Sequence, residues 1–149
     1  MSLVKSSISS KFLCVGGLIA AATAFWHLLC IVGGPDWYAF ARAPRVVVES
    51  AKQGTFLAPS GAILIAILMF TCTAYSFSGA GLIKPIPFLK PVLFTISLIC
   101  LIRSMVAIPY LVSSKLDVWE LVASSGWFFV GICFLMGLLD QLRGKKTNM

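Results

Sequence analysis

Four apolar runs, each long enough to cross a lipid bilayer, constrain this chain more than any other feature. They lie near Phe12–Val32, Leu57–Ser78, Phe88–Ile108 and Leu121–Gln141. A hydrocarbon core of roughly 30 Å takes about 20 mainly apolar residues as a helix, and inside it only helices and closed barrels satisfy their own backbone polar groups. Barrel strands are about half as long as these runs, so helices are expected. Composition agrees: 59% of the 149 residues are hydrophobic and 11% charged, against roughly 45–50% and about 25% in soluble domains, and the mean hydropathy is +0.97. An ordinary water-soluble domain is excluded. The expected fold is an all-α integral membrane four-helix bundle, a single transmembrane domain over residues 1–149, because the stretches between the runs are too short to fold alone.

Proline placement supports this division. Pro35, Pro44, Pro59, Pro85, Pro87, Pro91 and Pro109 all fall in connections or near a span end, where a missing N–H costs little. Lys5 and Lys11 ahead of Ala22-Thr23-Ala24 also resemble a secretory signal. The run stays apolar to Val32, longer than a signal core, so a retained first helix is the better reading.

Lys and Arg in the loops set the orientation. Termini and middle loop share a side that holds Lys5, Lys11, Lys84, Lys90, Arg143, Lys145 and Lys146, whereas the other side holds Arg42, Arg45, Lys52 and Lys115. Seven against four puts both termini in the cytoplasm of a bacterial inner membrane. With Asp140 on the first side and Asp36, Glu49, Asp117 and Glu120 on the second, the two sides carry +6 and zero, and Arg103 completes the total of +7. The basic balance is a topology signal and an attraction to anionic lipid, not a mark of nucleic-acid binding.

The long connection from Gly33 to Phe56 is expected to lie on the membrane as two short helices. Asp36 is placed to cap Trp37–Ala41, Pro44 to open Pro44–Gln53, and Gly54 to stop it. Trp37, Tyr38 and Phe40 read as interface anchors, with Val46, Val47 and Val48 partly buried.

Catalytic and metal-binding patterns are sparse. Cys14, Cys30, Cys72, Cys100 and Cys133 are odd in number, contain no Cys-x-x-Cys pair and all lie in apolar runs, where cysteine behaves as a small apolar side chain. One histidine makes neither a bis-histidine haem site nor a His-x-x-x-His metal site, so no cofactor or metal is expected. Ser78-Gly79-Ala80-Gly81 reads as a helix C-terminal cap rather than a phosphate loop.

The informative residues are His27 and Arg103, strongly basic groups at membrane depth. Each lies five residues before the outer end of its span, about 7–8 Å below the boundary at about 1.5 Å per residue. Gly16, Ala20, Ala24 and His27 recur at helical spacing, which directs His27 into a close helix contact. Glu120, Ser124, Trp127 and Gly131 form a matching stripe on the fourth span. An arginine in low dielectric needs a carboxylate or several carbonyl acceptors, and Glu120, Asp117, Asp36 and Glu49 are the candidate carboxylates. His27, Arg103, Glu120, Ser124, Trp127, Asp36 and Glu49 are thus the expected polar cluster. Trp26, Trp119, Trp127 and Tyr110 near the same end fit an interface belt and packing better than a ligand cage.

Together with His27, the segments Gly34-Pro35-Asp36-Trp37-Tyr38, Phe77-Ser78-Gly79-Ala80-Gly81, Leu82-Ile83-Lys84, Pro87-Phe88-Leu89 and Leu101-Ile102-Arg103 resemble a group of small uncharacterised bacterial inner-membrane proteins with four helices. The resemblance implies topology. Ala41-Arg42-Ala43-Pro44 departs from the glycine- and glutamate-containing stretch expected there, which weakens any acidic role for that loop.

Three functions remain open. The chain is a structural, assembly or accessory protein that docks a membrane partner or a second copy; an outward-facing, carrier-like protein that binds a lipid or small amphipathic ligand through Arg103 and His27; or, least favoured, an enzyme using His27 with Glu120 or Glu49. A proton-coupled exporter is disfavoured because no acid lies mid-membrane.

Overall fold

The computed structural model describes residues 8–112 and 118–143. Lys5, Lys115, Asp117, Lys145 and Lys146, and the side chain of Tyr110, lie outside the described residues. The chain is all-α: α1 (Ile8–Gly33), α2 (Pro35–Phe40), α3 (Arg45–Lys52), α4 (Leu57–Gly79), α5 (Leu89–Ser104), α6 (Ala107–Val112) and α7 (Val118–Arg143). Among the described residues, four segments are long and apolar enough to cross a membrane: Ile8–Gly33, Leu57–Gly79, Leu89–Pro109 and Val118–Arg143.

The third of these is not one continuous helix. α5 stops at Ser104 and α6 begins at Ala107, with Met105 N–H donating to Ile102 O (3.1 Å) and Ile108 N–H to Met105 O (3.0 Å). In an unbroken helix the ring of Pro109 would collide with the carbonyl of Met105. The break puts Pro109 in a first turn, where proline is tolerated.

The residues fall into two compact units. One comprises the chain up to Leu18 and from Ala74 onward; the other is Ile19–Thr73. In the first, parts of all four long helices meet around Leu13, Leu93, Cys133 and Phe134, each 1% exposed or less. Small residues set the approach. A Cβ on Gly16 would stand 3.1 Å from Cys133 Cβ, one on Gly79 3.0 Å from Leu13, and one on Gly137 would overlap the Leu13 side chain. Ser76 Oγ donates to Leu13 O across α4 and α1, and Gln141 Nε2 donates to Gly79 O (2.9 Å) from α7 to α4. α4 ends as expected: Gly81 has φ +78°, its N–H bonds Ser78 O (3.1 Å) and Leu82 N–H bonds Phe77 O (2.9 Å), a Schellman cap.

In the second unit, Cys30, Tyr38, Ala58 and Ala62 form the core, with Trp26, Val47, Val48 and Ala51 packed against it. Trp26 stacks on Trp37 (centroids 5.3 Å) and meets Phe40 (6.0 Å), while Phe25 and Phe70 pack edge to face (5.2 Å). Ser50 ties the connection to α4: its Oγ accepts from Ala58 N–H (3.0 Å) and lies 2.6 Å from Thr55 Oγ1.

The connection between α1 and α4 differs locally from the sequence expectation. Asp36 does not cap α2; Gly34 (φ +71°) is the N-cap residue and Asp36 lies in the first turn, because Pro35 supplies a ready-made N1 residue. α3 runs Arg45–Lys52, with Pro44 outside it as N-cap. Tyr38 is core rather than belt at 6% exposure, and Val46 is 62% exposed rather than partly buried, since the α3 face turned inward carries Val47 and Ala51.

Candidate functional site

α5 and α7 form the site's frame within the first unit. On α5, Leu93, Ser97 and Cys100 recur at helical spacing and are buried. They face α7, where Gly131 admits Leu101 so closely that a Cβ would stand 2.9 Å from its Cδ2. Ser97 Oγ donates to Gly131 O (3.0 Å). Six residues further along α5, Arg103 Nη1 donates to Glu120 Oε1 (2.7 Å). Residue numbers rise on one helix as they fall on the other, so the two run antiparallel.

The ion pair joins two helix ends of opposite polarity. Arg103 lies in the last turn of α5 and Glu120 in the first turn of α7, so each charge is favoured by its own helix dipole as well as by its partner. The side chains are 37% and 17% exposed. Ser124, 3% exposed, donates through Oγ to the same Glu120 Oε1 (3.3 Å). The geometry shares one carboxylate oxygen between a guanidinium and a hydroxyl. Trp127, half-buried, follows on the same stripe.

His27 and Glu49, also expected in the cluster, have local partners instead. His27, half-buried in the second unit, donates from Nδ1 to Thr23 O (2.8 Å) in its own helix, which leaves Nε2 as an acceptor on the neutral ring. Glu49 Oε1 accepts from Gln53 Nε2 (3.2 Å) on the exposed side of α3. Asp36 is exposed in α2. Among the described residues, no three His, Cys, Asp or Glu side chains are grouped as a metal site. None of the five cysteines is in a disulfide.

Ser97 is absent from the expected site, yet its spacing from Leu93 and Cys100 is a usable signal: a hydroxyl on a buried helical stripe needs an acceptor, either its own i−4 carbonyl or one on the facing helix. Tyr38 is core for a reason that its sequence does not carry. Its burial comes from the α2–α3 fold-back, which no periodicity in six residues reveals. Burial, and then the nearby Cys30, raise its phenol above the ordinary value, so it stays protonated.

Compared with protein-family models, curated proteins and solved structures, the chain matches none.

Proposed function

We propose that the chain is a structural or assembly protein of a bacterial inner membrane, with both termini cytoplasmic, and that its polar cluster serves the fold and the docking of a membrane partner or a second copy. One observation carries the reading: Arg103 is engaged by Glu120 at 2.7 Å, and Glu120 by Ser124. A carboxylate already shared between two donors is poorly placed as a general base, and a paired guanidinium is poorly placed to capture an anion. The seven-to-four excess of Lys and Arg supports the orientation.

Binding of a lipid or small amphipathic ligand is the second reading. It is favoured by the 37% exposure of Arg103, whose fork has donors beyond the one given to Glu120.

Native mass spectrometry of gently solubilised protein separates the two. The assembly reading expects a stoichiometric membrane-protein partner or a second copy, retained in Arg103→Lys. A small ligand held by the wild type and lost in Arg103→Ala and His27→Ala would overturn it.

A further inference from the structure

A second polar surface lies within the other unit. An open groove of about 820 Å³ runs along α3, lined among others by Arg45, Glu49, Lys52, Val46, Thr55 and Leu57. Its volume is in the range of small-molecule sites, about 300–1,000 Å³. Arg45 and Lys52 are seven residues apart on one helix face, about 10.5 Å along the axis. That span suits two long side chains closing on one anion. Neither cation has a hydrogen bond or ion pair among the described residues, whereas the intervening Glu49 is held by Gln53.

The apolar part of the lining indicates what kind of anion fits. Val46 is 62% and Leu57 51% exposed, and Leu57 is the first residue of the membrane-length helix α4. The groove therefore opens beside the first residue of a membrane-length helix, with cations next to bare aliphatic surface. From this we infer that the α3 groove holds an anionic phospholipid, its phosphate between Arg45 and Lys52 and its glycerol and upper acyl region against Val46 and Leu57. A free anion would satisfy the cations but leave the aliphatic walls uncovered; a zwitterionic lipid would bring a positive group to a groove already carrying net positive charge.

The test uses the full chain in nanodiscs of phosphatidylcholine doped with phosphatidylglycerol, with bound phosphatidylglycerol counted by native mass spectrometry. Each lost cation is expected to weaken retention about fivefold, so Arg45→Gln with Lys52→Gln gives a loss of roughly 25-fold. Glu49→Gln, which removes the opposing charge, strengthens it severalfold. Arg42→Gln removes a cation from the same connection but not from the groove lining and leaves retention within about twofold. Tryptophan fluorescence of the Trp26–Trp37 stack confirms that each variant is folded. Equal loss in Arg42→Gln would reduce the effect to general surface charge, displacement by millimolar inorganic phosphate would make the ligand a free anion, and unchanged retention in the double variant would remove the site; each overturns the inference.

Discussion

At the scale of single residues, Tyr38 carries the sharpest energetic statement. It is 6% exposed, and its hydroxyl has no hydrogen-bond partner among the described residues. An unsatisfied buried donor costs about 1–3 kcal/mol, whereas an apolar group of the same shape costs nothing. Tyr38→Phe should therefore leave stability unchanged or raise it by up to about 1 kcal/mol, measured by thermal unfolding in detergent near neutral pH. The pH dependence has a definite sign. Because the folded phenol is raised above its ordinary value, the wild type keeps its full stability below about pH 10, the unfolded tyrosine value, and loses it as pH rises from there through the folded value. Tyr38→Phe removes that alkaline loss. A drop of more than about 1 kcal/mol at neutral pH would mean that the hydroxyl is bonded.

At the scale of the helix, size rather than hydropathy separates packed faces from lipid-facing ones. The long helices are apolar on every side, so the usual alternation of apolar and polar residues is silent, and both lipid and neighbouring helices accept the same Leu and Ile. Small residues are the remaining signal. On α1 that signal was legible: Gly16, Ala20 and Ala24 are buried, Ala24 completely, while Ile19 is 37% exposed. On α4 the equivalent stripe, Ala58, Ala62 and Ala66, each 4% exposed or less, was present at strict four-residue spacing but unread. The break between α5 and α6 was hidden for another reason: a proline near the end of an apolar run is compatible both with a first turn and with a frayed last one. Leu in place of Ala24 should lower stability by about 1–3 kcal/mol through overpacking, with Ile19→Leu within about 0.5 kcal/mol of wild type. Equal unfolding temperatures for the two variants would show that the α1 stripe is not a packed surface.

At the scale of the whole molecule, polar groups join helices that hydrophobicity alone cannot hold together in lipid. Ser76 to Leu13 O, Gln141 to Gly79 O, Ser97 to Gly131 O and Arg103 to Glu120 each link two long helices. The need of Arg103 for a polar partner was readable from the sequence, and a carboxylate supplies it. Which of four acids would answer was not, because that depends on the antiparallel register of α5 against α7, fixed by Gly131 and Ser97 rather than by any charge. The central claim is that Arg103 is consumed in this fastening. Its side chain and that of Glu120 are 37% and 17% exposed, between the regime of surface pairs, about 0.2–1 kcal/mol, and that of dry ones, about 3–5 kcal/mol on removal of one partner, so Arg103→Ala should cost about 1–3 kcal/mol. The direct measurement is a double-mutant cycle on Arg103→Ala and Glu120→Ala by thermal unfolding in nanodiscs. The expected result is a coupling of about 0.5–3 kcal/mol, with the double variant little worse than either single one. Additive losses, or an Arg103→Ala variant as stable as the wild type, would contradict the claim and leave Arg103 free for a ligand.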